Sequence, residues 1–149
     1  VLKSLDGRIA LIIDGGPTRR GIESTIIACT GGEARLLRRG PLEIAAAPAK
    51  GTAIESPGQL ASHYAPSKPL RLNVTAATTD EYLIGFNQVA GNASLSDSGD
   101  LVEAAARLFD LLHQADASAQ PRIAVAPIPS EGLGAAINDR LQRAAVERR

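Results

Sequence analysis

Asp100-Leu101-Val102-Glu103-Ala104-Ala105-Ala106-Arg107-Leu108-Phe109-Asp110-Leu111-Leu112, followed beyond Pro121 by Ile123-Ala124-Val125-Ala126, decides the fold class. Asp100 suits a helix N-cap, because its carboxylate can accept one of the backbone N–H groups that the first turn leaves without a partner. From there Leu101, Ala104, Ala105, Leu108, Leu111 and Leu112 recur at helical spacing and form one apolar face. The short apolar run 123–126 reads as a strand. Upstream, Leu70-Arg71-Leu72-Asn73-Val74 alternates as a strand, Tyr82-Leu83-Ile84-Gly85-Phe86 reads as a second, and Ser94 to Gly99 is a polar loop. Downstream, Ser130 can cap a final helix with Leu133, Ile137, Leu141 and Ala144 on one side. Arg140, Arg143, Arg148 and Arg149 would then complement its negative end. This order predicts an α/β unit over 69–149, a small Rossmann-like sheet with helices packed on it.

Composition narrows the function classes. The 149 residues are 44% hydrophobic but only 3% aromatic, so one ordinary core or two small ones must be built from Ala, Leu, Ile and Val. Lys plus Arg and Asp plus Glu are 16 each, which leaves no net charge to attract a polyanion, and no direct nucleic-acid binding is expected. The single Cys29 cannot form an internal disulfide and, among Ile26, Ile27 and Ala28, reads as a buried inert thiol. No apolar run approaches the roughly 20 residues of a bilayer span, and no signal peptide is visible, so the expected compartment is the cytoplasm. His113 reads as a solvated helix-end residue, and no His or Cys lies at ligand spacing, so no metal site is expected. Asp80, Glu81, Asp97 and Asp100 read as solvated loop carboxylates.

Nearer the start, Ile9-Ala10-Leu11-Ile12-Ile13 is the kind of continuous apolar run that fits a strand buried on both faces, ending at the turn signal Asp14-Gly15-Gly16-Pro17. Ser24 to Cys29 and Ala34 to Arg38, joined through Thr30-Gly31-Gly32, read as a β-hairpin closed by Arg39-Gly40-Pro41, with a brief continuation at Leu42-Glu43-Ile44. The stretch 15–25 sets glycines, hydroxyls and Arg19 and Arg20 between two strands, where backbone amides can approach a ligand; on composition alone a plain connection with Ser24 bonded to backbone is the favoured reading. Arg38 and Arg39 stand at a strand end, where a guanidinium can hold a phosphate or simply protect a solvated edge. From 49 to 69, breakers such as Ser56, Pro57, Gly58, Pro66 and Pro69 interrupt any periodicity. This is a linker, and it carries His63-Tyr64 in its middle. Gly132-x-Gly134 reads as a tight cap with close helix packing, since Ile137 stands where a dinucleotide fingerprint needs glycine.

Four motifs in order then carry a resemblance: Asp14-Gly15-Gly16; Gly21-Ile22-Glu23-Ser24-Thr25-Ile26; Arg35-Leu36-Leu37-Arg38-Arg39-Gly40; and Ser56-Pro57-Gly58 with His63-Tyr64-Ala65-Pro66. Together they resemble the long form of threonylcarbamoyl-AMP synthase, and Gly132 to Leu141 resembles the last helix of that family's C-terminal domain. The resemblance implies a nucleotidyltransferase that joins L-threonine, bicarbonate and ATP into threonylcarbamoyl-AMP with release of pyrophosphate, for modification of a tRNA adenosine. It implies ATP and Mg2+ as a substrate complex, no tightly bound cofactor, and downstream tRNA-modification proteins as partners. It divides the chain into the rear part of a YrdC-like catalytic domain (1–50), a linker that folds over the site as a lid (51–68) and a C-terminal domain (69–149). Ser24 matches the serine that contacts threonine, Arg38 the arginine that contacts ATP, and Tyr64 with His63 the lid motif, with Tyr64 reaching the nucleotide. The family has Pro where Arg39 stands, so either arginine could face the site; strand alternation permits only one. Catalytic residues are left unassigned.

The family's front Lys and Arg residues have no counterpart here, so Val1 is expected to be internal to a longer protein and the 149-residue chain alone to be inactive. A small-ligand-binding or protein-docking module is the alternative. Ser24 and a hairpin guanidinium are expected to share one hollow beneath the His63-Tyr64 segment.

Overall fold

The computed structural model describes residues 2–49, 53–60 and 62–146. A short helix α1 (Leu2–Leu5) precedes a three-stranded sheet, order β1-β2-β3, formed by β1 (Ile26–Ala28), β2 (Arg35–Arg38) and β3 (Ala47–Pro48). The hairpin expected from the sequence is present, with Ile26 opposite Arg38 and Ala28 opposite Arg35. The register shifts between Ile26 and Ile27, and such a bulge re-aims side chains at the strand end. No strand forms at 42–44; that segment loops so that β3 runs parallel to β2.

Two readings fail in this front part. Residues 9–13 are no strand, and Leu11 and Ile13 are 75% and 87% exposed. A doubly buried strand needs a ladder partner and a layer on each face, and among the described residues nothing supplies them. Cys29 is exposed rather than buried, because β1 ends at Ala28 and the thiol falls in the turn.

The second unit is α/β with a parallel sheet of order β4-β7-β5-β6: β4 (Leu70–Arg71), β5 (Glu81–Gly85), β6 (Ala93–Ser94) and β7 (Arg122–Val125). Central β7 has Ile123, Ala124 and Val125 at most 1% exposed. Helix α2 (Leu101–Ala117) starts as expected, with Asp100 accepting the Val102 N–H at 2.7 Å. Its buried side holds Ala104, Ala105, Leu108, Leu111, Leu112 and Ala115. Its last turn is met by the Lys68 ammonium, which donates to the Ala115 and Ser118 carbonyls at 3.0 and 2.7 Å, favourable at a negative helix end. No helix among the described residues is long and apolar enough to cross a membrane.

Helix α3 (Leu133–Ala144) departs from expectation at both ends. Ser130 does not cap it: Gly132, at φ 56°, stands at the N-cap without a side-chain bond, and the first turn packs so close that a Cβ on Gly134 would lie 2.0 Å from the Pro129 carbonyl oxygen. Arg140 and Arg143 turn away from the helix end into packing contacts described below. Arg148, Arg149, Val1 and the expected boundary at 50–51 lie outside the described residues.

Glu81 is not the solvated loop carboxylate expected. It is buried at the start of β5, bonded to Arg71 twice at 2.8 Å and to the Thr78 backbone N–H at 2.9 Å. Those bonds hold its pKa at about 2, below the unfolded value of about 4.3. A depressed carboxyl contributes stability that is present above the unfolded pKa and lost as pH falls through the folded one. The unfolding midpoints of wild type and Glu81→Gln are therefore expected to differ at pH 6 and to converge between about pH 4.5 and 2, followed by urea titration; a pH-independent gap would contradict it.

The two units share a core. Ile22 belongs to the same buried cluster as Leu108, Ile123 and Ile137. Gly21 makes this possible: at φ 59°, a Cβ there would lie 2.2 Å from the Ala105 carbonyl oxygen on α2. Gly21→Ala is expected to lower stability by at least about 1–2 kcal/mol, the cost of a left-handed non-glycine residue alone, read from the midpoint of thermal unfolding.

Candidate functional site

Antiparallel pairing of β1 and β2 sets the segment just before β1 beside the end of β2, which is how Ser24, two residues ahead of Ile26, meets Arg38. The Arg38 guanidinium donates through Nε to the Ser24 carbonyl at 3.1 Å, through Nη2 to Ser24 Oγ at 3.3 Å and through Nη1 to the Pro57 carbonyl at 3.4 Å. Of the adjacent arginines, Arg38 is thus the one turned to Ser24. Arg39, one residue past the end of β2, is exposed and lines a hollow of about 460 Å³ with Gly40, Glu43 and Gly132, while both arginines line another of about 290 Å³ with Pro48 and Asp139.

The linker residues come to the same corner. Gly58 sits between Arg38 and Tyr64: a Cβ on it would lie 2.9 Å from Arg38 Cδ and 3.8 Å from the Tyr64 hydroxyl oxygen. Tyr64 occupies φ 61°, a left-handed conformation that bulky residues rarely adopt. Its ring is 4.9 Å from that of Phe109 on α2 and 3.8 Å, edge-on, from that of His63. The His63 backbone N–H donates to the Arg143 carbonyl at 3.2 Å, while its Nδ1 is buried without a partner among the described residues.

Glu23 joins the corner to the second unit. It accepts the Tyr64 hydroxyl on Oε1 and Arg140 Nε on Oε2, the latter at 3.0 Å. Burial pushes the Glu23 carboxyl up, but the Tyr64 hydroxyl, its own backbone and Arg140 together bring it below the ordinary carboxylate value. Burial, and then the bond to Glu23, push the Tyr64 phenol up to about 12. Near neutrality Glu23 is therefore the anion and Tyr64 the neutral donor.

A hollow of about 1080 Å³ opens between Arg20, Glu23, Tyr64 and the α2 residues Phe109, His113 and Asp116. His113 is exposed on the helix and lines it. The expected hollow shared by Ser24 and a hairpin guanidinium is not this one: Ser24 and Arg38 touch each other directly, and the lining here includes Glu23 and Tyr64 but neither of them. Among the described residues, no three His, Cys, Asp or Glu side chains converge as metal ligands would.

Sequence reading missed Glu23, Phe109 and Arg140. Arg140 carried a legible signal, because Ile137, Arg140, Leu141 and Ala144 share one helical stripe, and a charge on an apolar stripe announces a buried pair. It is 1% exposed.

The family described as threonylcarbamoyl-AMP synthase, C-terminal domain, matches residues 18–146. Threonylcarbamoyl-AMP synthase of Bacillus subtilis (strain 168) is 32% identical over 97% of this chain and 51% of its own length. That of Pyrococcus abyssi is also 32% identical, over 97% and 52% respectively. The crystal structure of P. abyssi Sua5 complexed with L-threonine superposes with a TM-score of 0.80 at 25% identity, over 97% of this chain and 52% of that one. The chain spans about half the length of the curated relatives it matches.

Proposed function

This chain belongs to the family of the threonylcarbamoyl-AMP synthase C-terminal domain, and from that premise we propose that it supplies the rear part of an L-threonylcarbamoyladenylate synthase. In this reading L-threonine and bicarbonate form a carbamate, the carbamate attacks the α-phosphate of ATP, pyrophosphate leaves, and threonylcarbamoyl-AMP goes on to tRNA-modification proteins in the cytoplasm. Residues 1–50 complete a YrdC-like catalytic domain, 51–68 act as a lid, and 69–149 form the C-terminal domain.

The meeting of Ser24, Arg38 and Tyr64 at one corner supports this most directly. Ser24 Oγ is exposed and can bind threonine. Arg38 donates at 3.1–3.4 Å to neutral oxygens, and charged phosphate oxygens form shorter and stronger bonds with a guanidinium. Exchange of partners on ATP binding is therefore downhill. Mg2+ arrives with ATP as part of the substrate. Tyr64 and His63, closing over the corner, exclude water from the carbamate and the mixed anhydride, both of which hydrolyse.

The competing module reading draws on the 1080 Å³ hollow against α2. Joining this chain to the N-terminal half of the B. subtilis relative separates the two. Threonine- and bicarbonate-dependent pyrophosphate release is expected from the joined protein. Ser24→Ala should raise the threonine KM by roughly tenfold, the worth of one hydrogen bond, and Tyr64→Phe should lower kcat. Turnover indifferent to both changes would leave the module reading in front.

A further inference from the structure

Helix α3 grips the linker at several points, and each grip belongs to a different kind of bond. Arg143 Nη1 donates to the Leu60 carbonyl at 2.8 Å, and the Arg143 carbonyl accepts the His63 N–H at 3.2 Å. One turn earlier Arg140, 1% exposed, bonds Glu23 at 3.0 Å and Asp139 at 2.8 Å. Glu23 in turn receives the Tyr64 hydroxyl on its other oxygen. The Glu23 carboxylate therefore ties together Arg140 and Tyr64, which lie 117 and 41 residues from it in sequence.

We infer that Arg140 is a positioning residue: through Glu23 it holds Tyr64 over the Ser24–Arg38 corner, which assigns the C-terminal unit the task of anchoring the lid. The inference rests on the lid reading given above and adds to it the group that fixes the lid's position. Arg140 itself touches neither Ser24 nor Arg38 among the contacts of the described residues. It acts on the carboxylate, fixing one oxygen so that the other faces the phenol. Asp139 takes a second N–H of the same guanidinium, which fixes the plane of the fork. Lysine offers charge without that planar fork, so the two basic residues should behave differently here.

The plain competitor is a staple that merely joins two packed units. A staple, once cut, loosens both units together. A positioning residue, once removed, frees the linker and leaves the sheet intact.

Amide hydrogen exchange on the 149-residue chain separates the two and needs no turnover, so it can fail independently of the synthase assay. In Arg140→Met, which keeps length and apolar bulk, exchange at His63 and Tyr64 is expected to rise tenfold or more, while Ile123 to Val125 stay within twofold of wild type. Arg140→Lys should recover part of the protection. Unchanged exchange at His63 and Tyr64, or an equal rise in β7, overturns the inference. If Arg140→Met does not fold, Tyr64→Phe decides: it removes only the hydroxyl, so faster exchange in 62–65 supports the tie and unchanged exchange overturns it.

Discussion

Arg38→Ala in the joined synthase is expected to lower kcat/KM for ATP by about 10²–10³, the usual loss when one preorganised donor to a developing charge is removed. Arg38 ends β2, its guanidinium already faces Ser24, and its three contacts are to uncharged oxygens at the long end of the hydrogen-bond range. On the proposed reading of Arg38 as the group that takes ATP, the side chain is placed before the nucleotide arrives, and little needs to move when it does. Steady-state pyrophosphate release against ATP, at saturating threonine, reads the effect. Arg38→Lys should fall between, since it keeps a charge but loses the two-pronged geometry. Arg39→Ala, just past the end of β2 where it is Arg38 that bonds Ser24, should change the rate far less. Equal losses at both positions would show that general positive charge, and not the placed guanidinium, is what matters.

Leu108→Ala should be the most damaging of the single core truncations in stability. Leu108 is 1% exposed at the middle of α2, in the cluster that also contains Ile22, Ile84 and Ile137. Removing its methyl groups loses burial and leaves a cavity between helix and sheet, about 2–5 kcal/mol in comparable cores. Folded domains have only about 5–15 kcal/mol in total, so a large share of the margin disappears. Urea unfolding followed by circular dichroism checks this. A loss under about 1 kcal/mol would mean that neighbouring side chains collapse into the gap.

What the sequence made legible was periodic or ordered. The helical spacing from Leu101 and the capping carboxylate of Asp100 identified α2, and the four motifs brought Ser24, Arg38 and Tyr64 into one expectation. What it hid depends on partners. The run 9–13 has the chemistry of an inner strand, yet burial is conferred by neighbouring layers and not by the run itself, so its side chains remain exposed. Glu81 looked like a loop carboxylate because its partner Arg71 lies on another strand. Strand β6, of two residues, is too short to show alternation. Arg140 was taken for a helix-end charge because Glu23, the partner that draws it inward, is far off in sequence.

The backbone angle of Tyr64, φ 61°, bears on how easily the linker lets go. A residue kept in that region carries about 1–3 kcal/mol, which is released the moment its surroundings slacken. This acts as a counterpoise to the bonds from Glu23 and α3: part of the work of lifting the segment is already done while it lies down. If the segment is the lid proposed above, a cover loaded in this way can rest shut and still come away readily when product has to leave.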